Sequence, residues 1–589
     1  MKRFGYCVVG LFLIQSLVPV HTLAQRHTDP FPVAALGDRQ EIPQVAFNPA
    51  TNEYLAVWED QRNGVDADIY GQFFNADGSL KGDNFEICTT TGHQYWPRLA
   101  FDPSNSRYLI VFEDWRNPDN GDIRGIFVNT DGTFYDPPGF DVADHTFGIC
   151  THEANIYTCS VAFNLEFMNY LVVWGDCRND PTNWTGADVY GQLVAADGTL
   201  LPPPTPADPT ENFPIANDPE YEESVADVTW MPATLEFFVV FGTSTGYVLG
   251  QRVDGAGSLI NSEGAVAKVI SWGSAIQISE YFINGTDCLQ ARVKGNNEFW
   301  TMHDNAWIEC EVIWKGNHPT LGYTDNDVWG QRIRFMLDGQ VFKAKYMDVN
   351  GDTTLLPSNH AISLQPGNCN PPEIDYSVQD DEFLVGWGDP RNSADPTDFL
   401  NLQWDLYCQP LDINDQKEMI WKDITRTSVV ANTVNVPLAM TSNLERSLMG
   451  IAHNPDVNEF LIVFEYEDLT ALNSLDIYGM LVSGLPSSVA PDVSSLPTVC
   501  ELSQNYPNPF NPVTEIAFTL TSDQTVNLAV FDMMGRHVKT LVQGKRAAGP
   551  QTVFWDGTDA YGEQVASGVY LYKIEAKQFN ETKRMILIR

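Results

Sequence analysis

Residues Glu53–Gly78 read EYLAVWEDQRNGVDADIYGQFFNADG. Two apolar runs, Tyr54–Trp58 and Ile69–Phe74, flank a loop of Asp, Arg, Asn and Gly. Short apolar runs bounded by turn residues predict a β-hairpin with an enlarged turn. The second-strand core Asp68-Ile-Tyr-Gly-Gln72 returns as Asp122-Ile-Arg-Gly-Ile126, Asp188-Val-Tyr-Gly-Gln192, Tyr247-Val-Leu-Gly-Gln251, Asp327-Val-Trp-Gly-Gln331, Asp405-Leu-Tyr-Cys-Gln409 and Asp476-Ile-Tyr-Gly-Met480. Each follows an apolar partner run such as Ala56-Val-Trp58, Val172-Val-Trp174 or Ile462-Val-Phe464. Repetition of one unit along the chain predicts a repeat architecture.

Most units carry a further strand before the hairpin, as in Gln44-Val-Ala-Phe47, Arg98-Leu-Ala-Phe101 and Ser160-Val-Ala-Phe163. Another sits upstream, with Phe31, Phe85 and Phe147 each twelve residues before Pro43, Pro97 and Cys159. Four strands per unit make a propeller blade, so residues 25–482 are expected to form a seven-bladed β-propeller. The last unit ends at Ile477–Val482 without an outer strand, and Phe31–Leu36 precedes the first complete unit. That N-terminal strand is expected to complete the seventh blade and remove the exposed edges. The fifth unit, roughly 270–345, diverges most.

The chain has 589 residues and a formal net charge of −43. Phosphate binding needs a basic surface, so nucleic acid is excluded as a partner. Lys2 and Arg3, the apolar Val8–Val18 and the small-residue site Thr22-Leu-Ala24 read as a signal peptide over 1–24. No other run is long enough to cross a bilayer as a helix. Nine cysteines follow Cys7, and export permits disulfides without fixing their connectivity.

Residues 483–500 read as a Ser-, Pro- and Val-rich linker, and 501–589 as a compact set of alternating strands. Within them stand Asn505-Tyr-Pro-Asn-Pro-Phe-Asn-Pro512, Val530-Phe-Asp-Met-Met-Gly-Arg536, Trp555-Asp-Gly-Thr-Asp559, Ala566-Ser-Gly-Val-Tyr570 and the final Lys583-Arg-Met-Ile-Leu-Ile-Arg589. In this order they resemble the C-terminal sorting domain of type IX secretion, and are similar also to the Ig-like domain of flagellar hook-capping proteins. The resemblance implies an Ig-like β-sandwich recognised by the type IX machinery. It also implies delivery to the outside or the outer-membrane surface of a Gram-negative cell. It names an address, not an activity.

Long, variable segments link the second and third strands of each unit and join successive units. Binding residues tend to sit on such elaborated loops over a rigid scaffold. His93, Tyr95, Trp96, Trp115, His152, Tyr157, Trp184 and Tyr221 fall there and are the candidate ligand-binding residues, for a glycan or a surface protein. Their alternative role is packing between blades. The repeated Asp60-Gln-Arg-Asn63, Asp114-Trp-Arg-Asn117, Asp176-Cys-Arg-Asn179 and Asp389-Pro-Arg-Asn392 read first as loop architecture. In that role Asp accepts from loop amides and Arg pairs with the Asp opening the next strand. Asp60, Asn63, Asp66 and Asp68 also offer hard oxygen ligands for a structural calcium. Gly242-Thr-Ser-Thr-Gly246 matches a nucleophile elbow in spelling but lies in a hairpin loop, not a strand–turn–helix. No catalytic residue is singled out. The expected function is an exported binding module, with a secreted hydrolase or lyase acting on polysaccharide as the alternative. A catalytic site would require acids unique to single blades, clustered at the channel.

Overall fold

The middle strand of each repeat is buried almost end to end, as in Glu53–Asp60, Asn169–Asp176 and Glu382–Asp389. A strand covered on both faces reads as a continuous apolar run rather than an alternating one. The chain is seen in a computed structural model that describes residues 26–28, 30–35, 38–118, 120–152, 156–179, 187–202, 212–217, 222–232, 234–244, 247–260, 276–277, 291–296, 300–302, 305–318, 323–336, 341–343, 360–363, 369–379, 382–390, 405–412, 436–439, 448–467, 475–483, 500–502, 505, 510, 514–520, 524–532, 536–546, 549–555, 557–559, 564–577 and 579–587. Among them every regular element is a β-strand. The signal-peptide region lies outside the described residues.

The chain divides into two units, with the boundary between Ser488 and Val489. In the first, each repeat forms its own antiparallel sheet. The first sheet runs Gln40–Asn48, Glu53–Asp60, Asp68–Asn75 and Leu80–Cys88. Six more sheets follow, opening with His93–Asp102, Ile156–Asn164, Glu223–Met231, Arg292–Gly295, Glu373–Ser377 and Met449–Asn454. These opening strands adjoin one another in chain order, and Met449–Asn454 packs back against Gln40–Asn48. The sheets therefore follow a cycle.

The seventh sheet is finished by the N-terminus. Phe31–Ala34 pairs antiparallel with Leu475–Ser483, setting Phe31 opposite Gly479, and Arg26–His27 pairs further along the same strand. Thr28 Oγ1 accepts the Leu481 amide at 3.0 Å. Gly479 makes this possible, because a Cβ there would meet the Phe31 ring at 2.7 Å.

Each sheet buries side chains against the next, so the core is a chain of inter-sheet clusters. One holds Trp58, Tyr54 and Phe74 of the first sheet with Leu461 and Val463 of the seventh. Among the described cysteines, Cys88, Cys150, Cys159, Cys310 and Cys408 are buried free thiols, Cys177 and Cys369 are buried as well, and Cys500 is partly exposed. Cys150 and Cys159, close in sequence, share a core cluster without bonding.

In the second unit, Glu501–Leu502, Thr514–Leu520 and Gly549–Trp555 form one sheet. His537–Arg546, Gln524–Asp532, Gly568–Ala576 and Phe579–Leu587 form the other. Both contribute to one apolar core around Phe518, Val530, Trp555 and Tyr572.

Candidate functional site

The opening strands surround a cavity of about 520 Å³ lined by residues of all seven sheets. Pairing registers show which lining residues are equivalent. Arg98 lies opposite Val111, Asp227 opposite Val240, Arg292 opposite Ile313 and Glu373 opposite Gly386. Gln44, Ser160 and Gly450 occupy the same level in the remaining sheets. Two residues on, Lys294 and Asp375 are charged where Ala46, Ala100, Ala162 and Ala452 are neutral. The charges are thus confined to the second, fourth, fifth and sixth sheets.

These charges bond one another. Arg292 Nε donates to Glu373 Oε1 at 2.8 Å, and Arg98 Nη1 reaches the same oxygen at 3.3 Å from a non-neighbouring sheet. Lys294 pairs with Asp375, whose second oxygen accepts the His453 amide at 2.6 Å. Asp227 accepts Ser160 Oγ at 2.6 Å and the Val293 amide at 2.9 Å. Burial, and then the neighbouring Arg292, lower the pKa of the Arg98 guanidinium below its ordinary value.

One further step along the strands lies an aromatic level of Phe47, Phe101, Phe163, Trp230, Tyr376 and His453, with Gly295 in the fifth sheet. Each ring leans on an aromatic of the adjacent strand, Phe47 on Tyr54 at 5.1 Å and Trp230 on Phe237 at 4.9 Å. Beyond it the cavity reaches the short turns carrying Pro49, Pro103 and Pro455. The cavity therefore runs from a charged floor past an aromatic belt to the short-turn face.

The other end of the opening strands is built differently. Ile42, Trp96 and Thr158 have left-handed backbones, with φ of 55°, 54° and 44°. Each lies where the register slips against the second strand. Their amides donate to carboxylates of the preceding sheet, Ile42 to Glu465 at 2.8 Å, Trp96 to Glu59 at 2.6 Å and Thr158 to Glu113. All three glutamates are buried. Burial pushes the Glu113 carboxyl up to about 7, and lifts Glu59 well above the carboxylate range with help from Glu41, Glu113 and Glu465.

Four of the predicted ligand residues meet at this end. His93 stacks on Tyr95 at 5.0 Å and lies opposite Trp115 in the sheet, with Trp96 next along the strand. Trp115 Nε1 donates to Glu113 at 3.2 Å. Tyr157 packs on Gly175, where a Cβ would meet its ring at 2.8 Å, and His152 is exposed. Trp184 and Tyr221 lie outside the described residues. None of the six described candidates lines the cavity. Sequence reading missed the belt because Phe47, Phe101 and Phe163 read as core of the first strands.

The Asp-x-Arg-Asn loops that begin at Asp60, Asp114 and Asp176 resolve with one correction, while Arg391 and Asn392 of the fourth lie outside the described residues. Asp60 accepts the Trp58 indole at 2.8 Å, the Arg62 amide at 2.9 Å and the Arg62 guanidinium, while that guanidinium lies 3.8 Å from the Tyr70 ring centre. Asp176, Trp174, Arg178 and Tyr190 repeat this set. The arginine thus pairs with its own motif's Asp, and Asn63, not Arg62, reaches Asp68, at 2.8 Å. Asn63 also donates to Asp66. Both oxygens of Asp60 are taken, and the other expected calcium ligands are engaged as well: Asn63 Oδ1 accepts the Val65 and Asp66 amides at 2.8 and 3.1 Å, Asp66 Oδ2 accepts the Gly92 amide at 2.8 Å, and Asp68 holds Asn63. Among the described residues no group of three or more His, Cys, Asp or Glu side chains is arranged to hold a metal ion.

A family model for the FlgD Ig-like domain matches residues 508–579, within the second unit. No curated protein matches the chain. Among solved structures, the chain resembles an N-acetylgalactosamine deacetylase from F. plautii in complex with blood group B trisaccharide, at 10% identity and a TM-score of 0.31, over 57% of this chain and 96% of that one. It also resembles the Hadza microbial sialidase Hz136, at 10% identity and 0.33, over 71% and 74%. A Trypanosoma rangeli sialidase matches at 8% and 0.33, over 87% and 85%. Likeness this slight assigns neither fold nor activity. Among the described residues no helix is long and apolar enough to cross a membrane.

Proposed function

We propose that residues 25–482 are a seven-bladed β-propeller that binds a glycan or a surface protein through its central cavity. Residues 501–589 then act as an Ig-like sorting domain that takes it through type IX secretion to the outside or the outer surface of a Gram-negative cell. The observation that carries the binding reading is the pairing of an aromatic belt with a polar floor inside one cavity of about 520 Å³. That volume suits a small ligand. Aromatic faces give sugar rings apolar contact, while the floor offers directional bonds.

Binding is favoured over hydrolysis because the carboxylates at the floor already hold protein partners: Glu373 two guanidiniums, Asp375 an ammonium, Asp227 a hydroxyl and an amide. One group favours the second reading. A carboxyl at about 7, as at Glu113, is poised for general acid catalysis, but Glu113 caps a backbone amide and does not line the cavity.

The test is retention of the purified protein on a polysaccharide panel, with product release assayed in the same wells. Retention without new reducing ends or unsaturated products supports a binding protein. Product release overturns it in favour of a hydrolase or lyase, and no response to any glycan moves the ligand to a protein. For the address, a chain lacking Glu501–Arg589 should accumulate in the periplasm; normal export of that truncation would sink the sorting role.

A further inference from the structure

We propose that the cavity floor is a carboxylate-binding subsite in which Arg98 receives the acidic group of a uronate-type sugar. This rests on the glycan-binding reading above. Arg98 and Arg292, from the second and fifth sheets, converge on a single oxygen, Glu373 Oε1, at 3.3 and 2.8 Å. A guanidinium carries five N–H donors in a planar fork. Arg292 uses a second donor on the Ala291 carbonyl at 3.2 Å. Arg98 gives the protein only the one long bond among the described residues, and it lines the cavity.

The two side chains are 12% and 8% exposed. A cation so far from water needs full compensation, and Arg98 shares its only bonded carboxylate with a better-placed competitor. Asp227 is near both guanidiniums, yet its oxygens bond Ser160 and the Val293 amide instead. An incoming carboxylate offers two coplanar oxygens matched to the unused edge of the fork. Phe101, Phe163 and Trp230, three residues along their strands from the floor level, line the same cavity and offer apolar contact to a sugar ring.

The experiment titrates the full-length protein with oligogalacturonate, with the matching neutral galactan oligosaccharide and with a sulfated galactan. The uronate should bind at least roughly tenfold more tightly than the neutral sugar, which is the scale of one charge-assisted bond. Arg98→Gln should weaken uronate binding by roughly 10–100-fold and neutral-sugar binding far less, so that the preference for uronate is lost. Glu373→Gln should act in the opposite direction and tighten it, because the competing charge is gone. A merely structural ion bridge would weaken binding in both variants, and that result overturns the proposal. Equal affinity for uronate and neutral sugar also overturns it while leaving the glycan reading intact. Equal affinity for the sulfated galactan overturns the carboxylate assignment, and binding of none of the three overturns the uronate subsite while the glycan reading stands or falls with the polysaccharide panel.

Discussion

Glu59, Glu113 and Glu465 hold a bulky residue of the next sheet in a left-handed turn that its own side chain disfavours. The carboxylate supplies an acceptor where the sheet ladder slips and leaves an amide without a strand partner. Glu113 shows what this costs. Its carboxyl titrates near 7 in the folded chain, against 4.5 in the ordinary case, because burial disfavours the charge. The folded state therefore binds more protons than the unfolded one between these values, and stability falls as pH rises through that window. Glu113→Gln keeps an acceptor for the Thr158 amide and removes the charge. Its melting temperature should fall less than that of the natural chain between pH 5 and pH 7.5; parallel curves would refute this. Glu113→Ala leaves an amide without its acceptor and should cost about 1–3 kcal/mol at pH 5, and less as pH rises toward 7.5 and the natural carboxyl takes on its buried charge.

At the scale of strands, the hairpins were readable because doubly covered strands make long apolar runs between turn residues. The four-residue upstream strand at Phe31–Ala34 was readable from spacing alone. Phe579–Leu587 was not, since Asn580, Thr582 and Arg584 keep its outer side polar and full burial is confined to Met585 and Leu587. The slips at Ile42, Trp96 and Thr158 were also illegible, because neither Gly nor Asn marks them; a partner from another sheet imposes the conformation. Junctions between neighbouring opening strands are close. At Gly450 a Cβ would lie 2.8 Å from Gln44 Cα and 2.9 Å from Val45 N. Backbone cannot yield as a side-chain tip can, so Gly450→Ala should destabilise the first unit by about 1–3 kcal/mol. Denaturant unfolding with an unchanged midpoint would disprove the closeness of that contact.

Across the first unit, the repeat and the pairing of the N-terminal strand with the last repeat were legible and the cavity was not. Arg98 and Glu373 are 275 residues apart, and no local motif joins them. Only setting the seven opening strands in register puts them on one level, and that register depends on slips that the sequence hides. The closure can be tested directly. Removing residues 26–34 strips the seventh sheet of its outer strands and exposes Leu475–Ser483 as an edge, so the first unit should melt earlier and aggregate. An unaltered transition would mean that the first unit is stable without this clasp.

That clasp also sets a timetable. Thr28 and Leu481 are separated by 453 residues, so the first strands leave the ribosome long before their partner exists. At about 5–20 residues per second, synthesis keeps them waiting for roughly 20–90 s. During that interval the first strands have no Leu475–Ser483 edge to pair with, and any export step that handles an unfinished protein has this window in which to act.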